Sequence, residues 1–260
     1  EIYVYGRDEC NFENPDSIVE VLNKIKPSII INAAAYTNVD KAEDEKKRCD
    51  IINNKTVGEI ADFSKHNNSL FIHFSTDYVF SGLSNKLYVE TDETNPINTY
   101  GQTKLLGEKA ILNSGCKYYI LRTSWVVSRN GKSFISKMIE LFSTKRLINV
   151  VDDQIGIPTT SDFISDIVIK LIDVDYVQSE IFNLTPNGET SWYKFAVYLY
   201  DHINKTNKNV ARVSIEPILS VNYPTPAKRP KNSRLDSSKI QKFLGIQFYN
   251  WTKYIDEIID

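Results

Sequence analysis

The sequence predicts an α/β fold, a doubly wound parallel sheet with helices on both faces, followed by a smaller lobe. Apolar runs typical of buried strands alternate with helical patterns at least four times, which is the pattern of a parallel sheet covered by helices. Clusters of small or polar residues follow three of these runs, at 33–36, 75–78 and 123–125. Ligands of such sheets bind outside the carboxyl ends of the strands, so the three clusters predict one site.

The first half contains the predicted strands of the sheet and the helices between them. The run at 28–32 holds three consecutive isoleucines, which is typical of a strand buried on both faces. A helix starts at Asn14-Pro15-Asp16, because proline suits the first helical turn. Further strands are expected at 1–5, 70–74 and 118–122, and helices over about 44–64 and around Tyr100 and Lys104.

The second half is less regular and predicts a smaller lobe built from discontinuous segments. Helices are expected at 134–142, 163–172 and 192–202, strands at 181–184 and 213–218, and two short helices near the end. We see no flexible linker between the halves. We therefore expect a first domain over 1–150 and a second lobe mainly over 151–260, with about 161–185 returning to the first domain.

Composition and charge exclude several classes of protein. Apolar residues make up 42% and charged residues 25%, and 31 basic against 33 acidic residues give a net charge of −2. Nothing here indicates a nucleic-acid or membrane partner. Neither the cysteines nor the histidines have the spacing of a metal site, and the odd number of cysteines fits a reducing, cytoplasmic setting. These residues are Cys10, Cys49, Cys116, His66, His73 and His202.

Tyr100 and Lys104 form the motif on which the functional interpretation depends. Residues four apart lie one turn apart on the same face of a helix, and an ammonium beside a phenol lowers the pKa of the phenol. Such a tyrosine is a proton donor for a carbonyl oxygen. Thr76, at the end of a predicted strand, would hold the same oxygen. The plainer interpretation is that Ser75 and Thr76 only cap a turn.

Six motifs resemble the extended short-chain dehydrogenase/reductase superfamily and, within it, the dTDP-4-dehydrorhamnose reductase family. The resemblance spans nearly the whole chain and implies a Rossmann-like first domain that binds NAD(P). It also implies reduction of the C4 ketone of dTDP-4-dehydro-L-rhamnose to dTDP-L-rhamnose, for cell-surface polysaccharide. The motifs are Asn32–Glu43, Ser75–Phe80, Tyr100–Lys104, Arg122–Trp125, Asp153–Thr159 and Tyr223–Ser233.

The resemblance assigns a role to individual residues. Thr76, Tyr100 and Lys104 are the implied catalytic residues, with Lys104 also contacting the ribose of the cofactor. Asp77 and Trp125 are implied to contact the sugar nucleotide, although Trp125 is alternatively a core residue. Ala33, Ala34 and Tyr36 are implied to line the cofactor. Asn53 either supports the lysine through water or is a surface asparagine.

Basic residues suggest how the cofactor and the substrate are held. Arg7 follows the predicted strand at 1–5, which the resemblance aligns with the second strand of the family's fold, where an arginine can pair with the 2′-phosphate of the adenine ribose, so NADPH is favoured over NADH. Arg229, Lys231 and Arg234 are candidates for the substrate diphosphate, because guanidinium groups suit phosphate oxygens. A solvated basic turn is the alternative for each. The patch is too short, in an acidic chain, to indicate nucleic acid.

Two further functions remain open in the sequence. The related sugar-nucleotide dehydratases carry a glutamate where Tyr78 stands, so Tyr78 favours simple ketone reduction. A reductase or epimerase of another nucleotide sugar is one alternative. The other is a non-catalytic subunit resembling the regulatory subunit of methionine adenosyltransferase. The oligomeric state stays open, with a homodimer as one option.

One motif of the resembling family is absent. Its first strand leads into a Gly-x-x-Gly-x-x-Gly turn, which lets backbone amides approach the cofactor pyrophosphate. No such run occurs in the 260 residues, which begin at Glu1. We therefore expect this sequence to be a fragment of a longer chain, with the phosphate turn upstream.

Overall fold

The computed structural model of the chain describes residues 1–174, 178–206 and 213–259. Its main sheet has four parallel strands in the order β1-β2-β3-β8. The strands are β1 Ile29–Asn32, β2 Leu70–Thr76, β3 Lys117–Thr123, β4 Val126–Val127, β5 Leu147–Val151, β6 Ile155–Gly156, β7 Thr159–Thr160, β8 Glu180–Asn183, β9 Thr190–Ser191 and β10 Ser214–Ile218. The α-helices are α1 Pro15–Ile25, α2 Val39–Ala42, α3 Lys46–Asp50, α4 Thr56–Asn67, α5 Thr99–Ser114, α6 Phe134–Thr144, α7 Ser161–Ile172, α8 Trp192–Thr206, α9 Ser238–Leu244 and α10 Trp251–Ile259.

Both faces of β2, in the interior of the main sheet, are covered, as a doubly wound fold requires. The edge strand β1 is less buried than predicted, because Ile31 is 47% exposed. Side chains alternate across a strand, so Phe71 of β2 packs into a buried cluster with Val57 of α4 and Ile111 of α5. Its neighbour Ile72 packs on the opposite face, in a cluster with Ile167 of α7. The predicted α/β class with a parallel sheet is confirmed.

The register of the strands brings two of the predicted clusters together. Thr76, the last residue of β2, lies directly opposite Thr123, the last residue of β3. The segments 75–78 and 123–125 therefore leave the sheet side by side. The ends of β1 and β2 are less even, because Asn32 is paired with His73, so the 33–36 segment leaves the sheet three residues earlier.

A second buried cluster lies outside the main sheet. It joins α6, α8 and α10, with Phe142, Phe195 and Ile255 among its buried members. Short two-stranded pairings, β5 with β10 and β4 with β7, accompany it. Helix α7 and strand β8 pack with the main sheet instead. The division into domains near residue 150 stays a prediction.

Two predicted elements differ in the structure. Residues 1–5 form no strand: they have no regular secondary structure, and Ile2 and Val4 are about nine-tenths exposed. A strand is stabilised by pairing with a neighbour, and no strand pairing involves these residues. The helix expected over 44–64 is interrupted, because a π-helical turn at Ile51–Lys55 separates α3 from α4. Within the described residues, no helix is both long and apolar enough to cross a membrane.

A buried ion pair joins α5 to the sheet. Both carboxylate oxygens of Glu108 accept hydrogen bonds from Arg122 on β3, at 2.9 and 2.7 Å. Ser75 donates to the same carboxylate at 2.5 Å, and Arg122 also donates to the carbonyl oxygen of Glu90. Only 1% of Glu108 is exposed. The pair fixes α5 relative to the ends of β2 and β3.

We expect Glu108→Gln to lower the free energy of unfolding by about 3–5 kcal/mol, because it leaves a buried guanidinium without its counter-charge. Urea unfolding followed by circular dichroism measures this. Glu140→Gln is the matched control: Glu140 pairs with Lys137 on the surface, and exposed pairs contribute about 0–1 kcal/mol. Equal losses for both variants would contradict a structural role for the buried pair.

Candidate active site

The polar turn after β2 forms the base of the candidate site. Thr76 and Asp77 are both buried, at 5% and 4% exposure. The backbone N–H of Tyr78 donates to Thr76 Oγ1, so Thr76 caps the short 3₁₀ turn Asp77–Val79. Thr76 Oγ1 also donates to Asp77 Oδ1 at 3.1 Å. Thr76 therefore does cap a turn, and it also lies at the candidate site.

The start of α5 is held by side chains from two other segments. Asn98 caps the helix by accepting from the Gly101 N–H at 2.8 Å, and its amide donates to the Lys228 carbonyl. The Glu43 carboxylate accepts from both the N–H and the hydroxyl of Thr99, at 2.8 and 2.9 Å. Tyr100 and Lys104 follow directly, one turn apart. These hydrogen bonds thus fix the first turn of α5, the turn that contains Tyr100.

Gly101 lets α5 approach the turn after β2. A Cβ at this position would lie 2.2 Å from the backbone oxygen of Tyr78, far inside contact distance. The close approach places the Tyr100 ring against Tyr78, with ring centroids 5.7 Å apart. Gly107 does the same further along, where a Cβ would lie 2.2 Å from the Asn53 carbonyl oxygen. The two glycines of this helix are therefore needed for packing.

Burial dominates the ionisation of Tyr100 and Asp77. Burial raises the pKa of Tyr100 well above its ordinary value, Asp77 and Cys49 raise it further, and a hydrogen bond with Thr76 opposes the rise. Burial also raises the pKa of Asp77 to about 7, against bonds from Ser233 and Thr76. The Thr76 hydroxyl has one proton, so it cannot donate to Tyr100 and Asp77 at once.

Lys104 is turned towards the interior in this structure. It is 2% exposed, and its Nζ donates to the Phe74 carbonyl at 2.5 Å and lies 3.1 Å from His73 Nε2. Burial lowers the pKa of Lys104 to about 8, while Glu108 and Cys49 raise it. The Tyr-x-x-x-Lys motif predicts that Lys104 lowers the pKa of Tyr100. In the structure, Thr76 is the group that does so.

The segment after β1 supplies the predicted cofactor-lining residues. Ala33 and Ala34 are exposed, and Tyr36 is half-buried. Asn53 holds this segment: it accepts from the Tyr36 N–H at 2.8 Å and donates to the Tyr36 carbonyl at 3.1 Å. Asn53 is 1% exposed, so it is not a surface residue. Arg7 lies in an exposed turn.

Trp125 has an unusual backbone conformation at the end of β3. Its φ is 45°, which costs roughly 1–3 kcal/mol for a bulky residue and is typical of functional sites. The indole stacks on Trp192 with centroids 3.5 Å apart. It also lies against Gly156, where a Cβ would come within 2.4 Å of the ring. Trp125 is half-buried, so the predicted contact with substrate stays a prediction.

The three predicted phosphate-binding cations are paired with carboxylates. Arg229 donates to both oxygens of Asp40, at 3.1 and 2.8 Å, and this holds the pKa of Asp40 below its ordinary value. Lys231 pairs with Asp153 and Arg234 with Glu189, at 3.1 and 2.7 Å. The basic segment therefore connects α2 with the second half of the chain. A role in binding diphosphate stays a prediction for Arg229.

The residues present fit the reactive end of a nicotinamide cofactor. Exposed alanines at the end of β1 permit close approach, and a buried lysine and a phenol lie at the start of α5. Residues of this chain that would hold it are Ala33, Ala34, Tyr36, Tyr100 and Lys104. The pyrophosphate end is not assigned, because the sequence holds no Gly-x-x-Gly-x-x-Gly run.

His73 and Asp40 are the polar residues near the site whose contacts sequence reasoning missed. His73 is buried within β2, where the sequence shows only a single histidine in an apolar run. Its partner Lys104 lies 31 residues further along the sequence. Asp40 belongs to the first motif, but its partner Arg229 is 189 residues away. Periodicity does not report pairings of this range.

Comparisons with known proteins agree on one family. The family described as RmlD substrate binding domain matches residues 1–260. The dTDP-4-dehydrorhamnose reductase of Escherichia coli strain K12 is 37% identical, over 95% of this chain and 84% of the relative. That of Aggregatibacter actinomycetemcomitans is 38% identical, over 99% and 89%. The crystal structure of the Bacillus anthracis dTDP-4-dehydrorhamnose reductase in complex with NADP superposes with a TM-score of 0.92 and 30% identity, covering 100% and 89%.

We expect Gly101→Ala to lower the free energy of unfolding by about 1–3 kcal/mol, because the new methyl group clashes with a backbone oxygen. It should also lower turnover by about 100-fold, since the clash displaces Tyr100. Gly58→Ala is the control: the new Cβ would meet only Ala110 at 3.6 Å, and a helical Gly→Ala change stabilises by about 0.5–1 kcal/mol. Similar effects of both changes would show that α5 does not depend on this contact.

Asp77 should make stability fall as the pH rises. Its pKa in the folded protein, about 7, lies above the ordinary 3.8, so its contribution is complete below about pH 4 and lost as the pH passes 7. Relative to wild type, the free energy of unfolding of Asp77→Asn should rise by up to about 4 kcal/mol between about pH 4 and pH 7. Urea unfolding at pH 4, 5.5, 7 and 8 measures the difference. Asp62→Asn, at an exposed aspartate, is the control. If the stability of Asp77→Asn varied with pH in the same way as that of wild type and Asp62→Asn, the raised pKa of Asp77 would be contradicted.

Proposed function

The chain belongs to the RmlD family of dTDP-4-dehydrorhamnose reductases, and we propose that it reduces the C4 ketone of dTDP-4-dehydro-L-rhamnose to dTDP-L-rhamnose with NADPH or NADH. The observation that supports this activity is the packing of α5 on the end of β2, where Tyr100 hydrogen-bonds with Thr76 and Lys104 Nζ donates to the Phe74 carbonyl. The proposal assigns Tyr100 as the acid, Thr76 as the group that holds the ketone oxygen, and Lys104 as the cation beside them.

Tyr100 protonates the substrate oxygen. Burial keeps the phenol protonated at neutral pH, because it raises the pKa of Tyr100. When bound, the reduced nicotinamide supplies the hydride to the C4 carbon. As negative charge develops on the ketone oxygen, Tyr100 transfers its proton there, and the product is the alcohol. A general acid held in position contributes about 10²–10⁴-fold to such a step.

Thr76 and Asp77 set the position and timing of this transfer. Thr76 Oγ1 is fixed by the Tyr78 N–H, so its single proton is directed to Asp77, Tyr100 or the substrate oxygen. Asp77, with a pKa of about 7, is neutral in part of the population at physiological pH. A neutral Asp77 competes less for the Thr76 proton, which leaves that proton available to the phenolate that remains after transfer.

Tyr78 supports reduction over elimination of water. It follows Asp77 at the position where the related dehydratases carry a glutamate, and burial raises the pKa of Tyr78 far above neutrality. A phenol that keeps its proton cannot act as the base that elimination requires. Its ring packs on Tyr100, so its contribution is to orient the acid.

The substrate is proposed to lie between the strand ends and the second half of the chain. Trp125, backed by Trp192, would pack against the sugar. Arg229 would exchange its bond with Asp40 for a diphosphate oxygen, and that exchange would release α2 from the basic segment. Asp77 would contact the sugar beside Thr76. Arg7 would favour NADPH through the 2′-phosphate.

The setting of the enzyme follows from this chemistry. A reductase that consumes a nucleotide sugar and a nicotinamide cofactor is expected in the cytoplasm, and a homodimer is the proposed assembly. The alternatives, a regulatory subunit or an enzyme acting on another nucleotide sugar, have no support from the comparisons.

We expect Tyr100→Phe to lower kcat by about 10²–10⁴-fold, because it removes the acid and leaves the ring. NADPH oxidation with dTDP-4-dehydrorhamnose, followed at 340 nm, measures this, and substrate binding should be largely unchanged. Tyr78→Phe is the matched control and should lose less than about tenfold, since it keeps the ring that packs on Tyr100 and removes only a hydroxyl. Wild-type turnover by Tyr100→Phe would refute the assignment of the acid.

A further inference from the structure

His73 is a buried titratable residue that the reaction described above does not use. It lies on β2 with 0% exposure, and its two ring nitrogens face different elements. Nδ1 is 3.1 Å from Asn32 Nδ2 on β1. Nε2 is 3.1 Å from Lys104 Nζ on α5. A buried imidazole between an amide and a lysine can determine which atoms carry the protons in this series of hydrogen bonds.

The backbone amide of Ala34 fixes the direction of these hydrogen bonds. A backbone N–H can only donate, so the Asn32 atom that it meets at 2.9 Å is the carbonyl oxygen Oδ1. The other end of the Asn32 side chain is then the NH₂ group, which donates to His73 Nδ1. Burial and the neighbouring Lys104 lower the pKa of His73, so the ring is neutral. A neutral ring that accepts at Nδ1 carries its proton on Nε2.

The Nε2–H of His73 therefore points at Lys104 Nζ. An ammonium has only donors, whereas a neutral amine offers a lone pair that accepts the Nε2–H. The amine hydrogens remain available for the Phe74 carbonyl at 2.5 Å. Besides His73, the titratable groups that act on Lys104 are Glu108 on the same helix and Cys49 on α3, and both favour the ammonium.

We propose that His73 is a positioning residue that favours the neutral amine form of Lys104 at the Phe74 carbonyl and couples the protonation of Lys104 to the 33–36 segment. If a ligand displaces the Ala34 N–H, Asn32 is free to turn. His73 can then carry its proton on Nδ1 and accept from an ammonium at Nε2. The importance of this coupling for catalysis rests on the proposed reductase function, whereas the hydrogen-bond chain itself does not.

The tautomer of His73 tests the proposed series of hydrogen bonds from Ala34 to Lys104 in the wild-type protein. Long-range ¹H–¹⁵N correlation spectra of the ¹⁵N-labelled protein at pH 9, above the pKa of about 8 of Lys104, distinguish a ring protonated at Nε2 from one protonated at Nδ1. The chain has three histidines, and the variants His66→Gln and His202→Gln assign the remaining signal to His73. We expect the Nε2–H tautomer. The Nδ1–H tautomer, or a charged ring, would overturn the proposal.

Replacement of Asn32 tests whether it sets the tautomer. Asn32→Asp places a carboxylate where the NH₂ group was, so His73 should move its proton to Nδ1 and donate to it. Asn67→Asp adds the same charge on the exposed end of α4 and should leave the tautomer unchanged. An Nε2–H ring in Asn32→Asp would overturn the coupling to the 33–36 segment.

The ionisation of Lys104 separates positioning from packing. We expect His73→Gln, which can present a carbonyl oxygen to Nζ, to raise the pKa of Lys104 by about one unit or more, as a bond to a charged group does. ¹³C spectra of protein labelled at lysine Cε measure this, and Lys104→Met identifies the signal. An unchanged pKa with only a lower melting temperature would overturn the proposal. If His73→Gln does not fold, the tautomer measurements decide.

These measurements use the free protein without substrate. Failure of the proposed function would instead appear as no NADPH oxidation with any nucleotide sugar, whatever the tautomer of His73. The two failures are therefore distinguishable.

Discussion

The close contact between the first turn of α5 and the turn after β2 is the constraint on which the candidate site depends. Gly101 permits it, since any Cβ there would meet the Tyr78 carbonyl oxygen at 2.2 Å. Asn98 and Glu43 fix the helix start from outside, and the buried pair of Glu108 and Arg122 fixes it from within. Tyr100 is brought to Thr76 because the helix is held at both places.

Burial then determines the chemistry of the groups that this contact brings together. Desolvation penalises the charged form of each group, so it raises the pKa values of Tyr100 and Asp77 and lowers those of Lys104 and His73. Each of these groups is therefore shifted towards its neutral form. Protons are held in hydrogen bonds from which they can move, as a reaction that adds one proton to an oxygen requires.

Carboxylates form ion pairs with three cations of the basic segment, Arg229, Lys231 and Arg234. Arg229 pairs with Asp40 near the 33–36 segment, while Lys231 and Arg234 pair with Asp153 and Glu189 from the second half. A substrate with its own negative charge can compete for such cations only by replacing these partners. In the proposed binding mode, loss of the Arg229–Asp40 pair would link substrate binding to α2, which follows the 33–36 segment.

The sequence by itself determined the α/β class and most of the strands and helices, and it supplied Thr76, Tyr100 and Lys104 as candidate site residues. These follow from local periodicity and from motifs within a few residues of one another. Tertiary structure alone decided that residues 1–5 form no strand, that α3 and α4 are separated by a π-helical turn, and that Lys104 faces His73. It also paired Arg229 with Asp40. Each outcome depends on contacts between residues distant in sequence, and burial of those contacts, which no local pattern encodes, sets their electrostatics.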